Sequence, residues 1–388
     1  MVAGASLTLG CVVMPRTVLF VTLMGYGHVN PTLPIVRELT SRHHRVHYAT
    51  SPEHRPAVVQ AGAEWVTLPS PPPFTPAVGD MRRILVTWFE YYFSVQRIAY
   101  PLVRDWCDAH QPDIICYDGS NWYGRLVARV LGIPAIRLLP HLASNDHFSL
   151  DLGLTPADPM LRDLAAECDR FAAEYELSFD VSDVFDAIDE RNLIFVPREF
   201  QPAGETFDEQ FRFVGPTVPM EPAEQWSPRE LDQPLVYISL GSAITDADFY
   251  RACISAFEGA GWQVAMTVGD VEIGDVPEFV EIRSSFPQLA VLKHASVFVT
   301  HAGMNSVMEA LYNAVPMVAV PFTPEQEINA ERVRELGLGE TLGDVEQLVA
   351  VVERVAEDRS IRDSLAAMQR TIQAYGGAVE AADEIERC

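Results

Sequence analysis

Residues Ser296–Ala314 read SVFVTHAGMNSVMEALYNA, and this stretch decides the fold. Ser296–Thr300 is a short β-branched run of the kind buried in a parallel sheet. His301-Ala302-Gly303 forms a tight loop, and the apolar spacing of Asn305–Ala314 is helical. A strand that runs through such a loop straight into a helix exposes unpaired N–H groups and the positive end of the helix dipole. That is a site for a diphosphate. Gly303 allows close backbone approach, and His301 can donate a further hydrogen bond to a phosphate oxygen. Glu309, about one turn into the helix, can accept from two vicinal ribose hydroxyls. Taken alone, the tripeptide could equally be a plain βα turn capped by Asn305 or Ser306.

Outward from this segment, short apolar strands alternate with longer amphipathic helices. Thr17–Met24, Arg45–Ala49, Asp113–Asp118 and Ala135–Leu139 are expected strands, with helices at Pro31–Arg42, Met81–His110 and Asn121–Leu131. A stretch rich in Pro and acidic residues, Pro197–Pro234, interrupts the pattern. It resumes with strands at Leu235–Leu240, Gln263–Val268, Ser296–Thr300 and Met317–Val320. Helices are expected at Ala247–Ala260, Asn305–Ala314, Gln326–Leu336 and Val345–Glu357. The pattern predicts an α/β protein of two Rossmann-like domains facing one another across a cleft. The expected bounds are 16–214 and 215–370, with a final helix in 371–388 returning to the first domain. Residues 1–15 are expected to be a disordered extension.

At 388 residues, two domains are the natural organisation. The net charge of −26 leaves no electrostatic footprint for nucleic acid. No apolar run reaches membrane-spanning length, and the six cysteines show neither CxxC pairs nor metal-ligand spacing. The expectation is a cytoplasmic protein, monomeric or homodimeric, without nucleic-acid or membrane partners.

The second chemical signal is Met24–Pro31 (MGYGHVNP) after the first strand. It fails as a dinucleotide fingerprint, because a GxGxxG run would need glycine at Asn30. As an active-site turn it would carry His28 into the cleft, where an imidazole can act as a general base or be merely structural. Asp118 ends the strand DIICYD on the same sheet edge, so it could orient His28 or cap the next helix. Ser242 follows the first strand of the second half and could touch a β-phosphate or be an ordinary turn serine. Asp246-Ala247-Asp248 superficially matches a DxD metal motif but opens a helix, so capping is the expected role and no metal is expected. Trp88, Phe89, Tyr91, Tyr92 and Phe93 cannot all face one core at helical spacing. Some would line a pocket for a flat or greasy molecule, near His141 and Phe148, or all would pack internally.

The segment from Phe286 to Val333 resembles the nucleotide-sugar signature of the inverting GT-B-fold glycosyltransferases, most closely the bacterial antibiotic and macrolide branch. The matching residues are Pro287-Gln288, His301-Ala302-Gly303, Asn305-Ser306, Glu309 and Glu325-Gln326. The resemblance implies transfer of a sugar from a UDP- or TDP-sugar, with no required cofactor, to a hydroxyl of a macrolide, polyketide or phenol. It also implies donor binding by Ser242, Gln288, His301, Gly303, Met304, Asn305, Ser306 and Glu309, with Glu325 and Gln326 on the donor sugar. An acid–amide pair suits a sugar with several free hydroxyls, such as glucose. His28 would be the acceptor-activating base and Asp118 its orienting partner. Trp88, Phe89, Tyr92, His141 and Phe148 are the expected acceptor contacts. One departure stands out. The family's base-stacking aromatic, two places before the proline, is Ser285 here. Either Phe286 takes over the stacking or the backbone at Gln288 holds the base.

Four rival classes fit less well. An epimerase of the same fold needs no second-substrate pocket, and a lipid-intermediate transferase needs basic docking surface. A catalytically silent partner need not keep both His28 and Asp118, and a nicotinamide oxidoreductase lacks its fingerprint.

Overall fold

The computed structural model describes residues 14–23, 25–74, 81–150, 153–185, 188–218, 224–241 and 246–388. Residues 1–13 of the expected extension 1–15, and the candidate Ser242, lie outside the described residues. The first sheet has seven strands: β1 (Thr17–Val21), β2 (Arg45–Thr50), β3 (Glu64–Thr67), β4 (Ile114–Asp118), β5 (Ala135–Leu139), β6 (Asn192–Ile194) and β7 (Phe211–Phe213). The second has six: β8 (Leu235–Ser239), β9 (Gln263–Thr267), β10 (Val280–Arg283), β11 (Val297–Thr300), β12 (Met317–Ala319) and β13 (Gly339–Thr341). Their orders are 3-2-1-4-5-6-7 and 10-9-8-11-12-13. Every pairing is parallel, for example Val21 against Tyr117 and Thr300 against Ser239.

Helices fill the connections. In the first half these are α1 (Tyr26–Val29), α2 (Leu33–Ser41), α3 (Arg55–Gln60), α4 (Met81–His110), α5 (Trp122–Leu131) and α6 (Arg162–Tyr175). In the second they are α7 (Ala247–Ala256), α8 (Gln288–Leu292), α9 (Met304–Tyr312) and α10 (Pro324–Glu335). The chain ends with α11 (Leu348–Glu357), α12 (Arg359–Ala374) and α13 (Gly377–Glu386).

Both sheets reverse strand order at one point, between β1 and β4 in the first and between β8 and β11 in the second. Ligands of such sheets bind beyond the carboxyl ends of the strands at this switch point. Each reversal is flanked by strands buried along their length, β4 (IICYD) and β8 (LVYIS), as parallel strands covered on both faces should be.

The segment expected to be an irregular linker is partly regular, because β7 lies within it and pairs with β6. Three residues with Phe211 and Phe213 turned inward complete the first sheet. From the other end of the chain, α13 packs against the first sheet's helices, burying Ala381, Ala382 and Ile385 beside Val36 and Leu39 of α2. Arg42 bonds Asp383 at 2.6 Å, Glu386 at 2.9 Å and Glu38 at 2.8 Å, while His44 meets Glu386 at 2.8 Å. Packing against α2 on one face of the first sheet, together with an ionic clamp, thus fixes the C-terminal helix on the domain that carries β1 and β4.

Candidate active site

After β1 the chain turns at Gly25, whose φ of +79° and ψ of +135° suit glycine alone. It then enters the short helix α1, so His28 sits on a helical turn rather than in a loop. Pro31 lies in a 3-10 turn that leads into α2. His28 Nδ1 and Asp118 Oδ2 are 2.7 Å apart. Asp118 is 1% exposed, and its other oxygen accepts from the Ser120 backbone N–H at 3.0 Å and from the Ser120 hydroxyl. It orients His28 and does not cap α5, which begins after Asn121.

Burial alone would lower the His28 pKa, but the Asp118 charge and hydrogen bond raise it above its ordinary value, and the Glu325 charge adds to this. Burial would raise the Asp118 pKa, but His28 and Ser120 hold it below its ordinary value. A carboxylate on Nδ1 fixes the proton there and leaves Nε2 as the lone pair.

Asn121 was not anticipated from the sequence. It is buried, its Oδ1 accepts the Leu23 N–H at 2.8 Å, and its Nδ2 donates to the Tyr92 hydroxyl at 3.2 Å. The Tyr92 hydroxyl in turn donates to the Ser120 carbonyl at 2.7 Å. These bonds clamp the loop after β1 to the loop after β4, and so hold His28 and Asp118 in register. The run Asp118-Gly119-Ser120-Asn121 is a local-turn signal, and it could have marked Ser120. The bond from Asn121 to Leu23 spans 98 positions and leaves no local trace.

In the second sheet, α9 begins at Met304, one residue earlier than expected, with Gly303 as its N-cap. A Cβ on Gly241 would lie 2.7 Å from His301 Cε1, and one on Gly303 would collide with His301 Nε2. Both glycines are therefore needed for the imidazole to lie between the ends of β8 and β11. Burial lowers the His301 pKa to about 4, against a contact with the Ser239 backbone. The ring is neutral, so what it offers a ligand is a hydrogen bond and not a charge. Its Nδ1 is buried without a partner. Ala302 has φ +61°, an uncommon conformation for a residue with a Cβ, and its carbonyl accepts from the buried Asn329 at 3.0 Å. Asn329, on α10, is a second residue that sequence reasoning missed.

Glu309 accepts from Gln288 Nε2 at 2.6 Å, and Gln288 Nε2 also reaches the Ser306 hydroxyl at 3.2 Å. Burial lifts the Glu309 pKa to about 7, opposed by the Gln288 bond. Glu325 and Gln326 open α10, capped by the Thr323 hydroxyl, and Gln326 Oε1 accepts from the Phe322 N–H at 2.8 Å. The charge of Glu325 reaches both His28 and His141 across the cleft. Asn305 Nδ2 donates to the Gly27 carbonyl at 2.7 Å, which brings the start of α9 against the turn that carries His28.

Two expectations are corrected. Phe286 is 6% exposed, edge-on to Trp226 and Tyr237 and covered by Arg283, so its ring is core and cannot stack on a base. Phe89 is likewise core, 7% exposed and stacked on Phe185 at 4.5 Å. Trp88 is half-buried, stacked on Tyr92 at 5.6 Å and edge-on to Phe74 at 5.0 Å. The His141 ring lies 6.2 Å from that of His28, with its Nδ1 2.8 Å from the Leu142 carbonyl. Phe148 is partly buried against a large apolar cluster to which both domains contribute. Asp246 caps α7 by accepting from the Phe249 N–H at 2.9 Å, and Asp248 pairs with Arg251. Among the described residues, no three acidic, His or Cys side chains gather as a metal site, and no helix is long and apolar enough to cross a membrane.

Two facing parallel sheets with these loops at their switch points define a GT-B glycosyltransferase. The family described as UDP-glucoronosyl and UDP-glucosyl transferase matches residues 221–369. The chain is 37% identical to an NDP-glycosyltransferase of Bacillus subtilis (strain 168), over 94% of its own length and 95% of that protein. It is 35% identical to the demethyllactenocin mycarosyltransferase of Streptomyces fradiae, covering 95% of this chain and 85% of the other. It is also similar to the solved calicheamicin glycosyltransferase, with TM-score 0.82, 33% identity, and 96% and 98% of the two chains covered. The chain belongs to this family of nucleotide-sugar-dependent glycosyltransferases, which includes macrolide-modifying enzymes.

Proposed function

We propose that the protein inverts the anomeric centre as it moves a sugar, glucose or one similarly rich in hydroxyls, from a UDP- or TDP-sugar to a hydroxyl of a small hydrophobic natural product. The 2.7 Å pairing of His28 Nδ1 with Asp118 carries this reading. It leaves Nε2 free to take the acceptor proton as the hydroxyl attacks the anomeric carbon. The diphosphate leaves on the opposite side, toward the first turn of α9. There the N–H groups of Met304, Asn305 and Ser306, the helix dipole and the neutral His301 receive it. Glu309 takes the ribose, exchanging its bond with Gln288, and Glu325 with Gln326 takes the sugar hydroxyls.

The half-buried Trp88, stacked on the buried Tyr92, offers the acceptor an aromatic wall, and His141 lies beside His28. Relatives named for oleandomycin and demethyllactenocin support an acceptor of that size and polarity. The helix end takes the place of a metal, and Asp246 is already committed to its cap. Transfer should therefore persist in excess EDTA, and loss restored by magnesium or manganese would refute that part. The decisive experiment is a mass-spectrometric screen of UDP- and TDP-sugars against polyketides and phenols, with NMR of the product anomer. An α-linked product from an α-donor would refute inversion, and hydrolysis or epimerisation without transfer would refute the whole reading.

A further inference from the structure

We propose that the guanidinium of Arg283 is the platform on which the donor's pyrimidine base stacks. The inference rests on the donor site described above. A nucleoside diphosphate has a fixed order of phosphate, ribose and base. With the diphosphate at the start of α9 and the ribose at Glu309, the base extends past Glu309 on the side of Gln288, which bonds Glu309 at 2.6 Å. Gln288 begins α8 just after β10, and Arg283 is the last residue of β10, at the carboxyl edge of the sheet.

Among the described residues, neither ring close to Arg283 is free to stack there. Phe286 and Trp226 are 6% and 8% exposed, and Ser284 and Ser285 carry no ring. Arg283 is held flat instead. Its guanidinium carbon lies over the Phe286 ring, 4.8 Å from the centroid, while its Nε and Nη2 are 2.8 and 2.6 Å from Glu281 Oε1. The side chain is nevertheless 47% exposed. One face of the plane therefore rests on an aromatic, one edge is fixed by a carboxylate, and the outer face is accessible. A guanidinium held in this way stacks on a base as an aromatic ring does. With its charge balanced by Glu281, its contribution is planar contact and not phosphate pairing.

The test is calorimetric titration of the full chain with UDP, with TDP and with inorganic pyrophosphate. Arg283→Ala should weaken both nucleotides about tenfold and leave pyrophosphate unchanged, which also reports an intact fold. Arg283→Lys, which keeps the charge and loses the plane, should behave like Arg283→Ala. Rescue by Lys, or equal loss for pyrophosphate, would assign Arg283 to phosphate and overturn the inference. Undiminished nucleotide binding in Arg283→Ala would overturn it alone, whereas a wild-type chain binding neither nucleotide would overturn the donor reading as well.

Discussion

The Asn305 side-chain amide donates to the Gly27 carbonyl at 2.7 Å, joining the first turn of α9 to the turn that carries His28. Two segments 278 positions apart in sequence are thereby held together, and in the proposed reaction the sugar passes between them. Asn305→Ala should lower kcat by about five- to tenfold, the equivalent of one ordinary hydrogen bond. Steady-state kinetics at saturating donor provides the check, and an unchanged kcat would separate domain alignment from this contact.

His28→Ala should lose about 10²–10⁴-fold in turnover, the usual contribution of a positioned base. Asp118→Asn should lose less, since the imidazole stays in place. The pH profile gives a sharper reading. Activity needs neutral His28, so kcat rises with pH through its pKa. Burial lowers that pKa while Asp118 raises it, with a net upward shift. Removing the Asp118 charge must therefore move the rising limb to lower pH. Nucleotide affinity should be unchanged in both variants, and a limb that stays in place in Asp118→Asn would dismiss the pairing as the cause.

Glu325→Gln should move the same limb in the same direction by a smaller amount, because Glu325 is the weaker of the two acidic influences on His28. It should also raise the donor KM, whereas Gln326→Ala should raise KM without moving the limb. A pH–rate series on both variants separates charge from sugar contact.

These assignments show where the sequence is transparent. Elements with long patterns are legible: α4 spans Met81–His110 as its periodicity predicts, and DIICYD yields β4 with Asp118 at its end. Strands of three residues such as β6, β7 and β13 offer too little periodicity to stand out. His28, Asp118 and His301 are legible because strand ends and glycines mark them. Asn121 and Asn329 are not, since each acts on a backbone group far along the chain. Phe286 misleads for the opposite reason, because its burial depends on Trp226, contributed by a segment that looks irregular.

Arg42 on α2 tests how the C-terminal helix is held. Its guanidinium is 22% exposed and faces Asp383, Glu386 and Glu38. Arg42→Ala removes charged hydrogen bonds and leaves three carboxylates together, so a loss of about 1–3 kcal/mol is expected. Denaturant unfolding measures it, with the midpoint less affected at acidic pH, where the carboxylates are protonated and no longer repel. A variant as stable as the wild type would show that apolar packing of Ala381, Ala382 and Ile385 is sufficient.

The peptide after His301 offers the closest link between sugar reading and phosphate binding. Ala302 sits at φ +61° with no exposed surface, a conformation that costs a residue with a Cβ about 1–2 kcal/mol. Asn329 holds it there through the bond to the Ala302 carbonyl, and Asn329 belongs to the helix that begins with Glu325 and Gln326. Asn329→Ala leaves that buried carbonyl without its donor, which should cost about 1–3 kcal/mol of stability. It should also weaken nucleotide diphosphate binding, although Asn329 is fully buried and cannot touch the ligand. Ala302→Gly adopts the same backbone without the Cβ penalty and should bind nucleotide like the wild type. Combined with Asn329→Ala, it should recover part of the lost affinity, because glycine reaches the conformation without being held. Titration of the two single variants and the double variant with UDP measures the coupling. Additive losses would show that Asn329 supports the fold without shaping the phosphate loop.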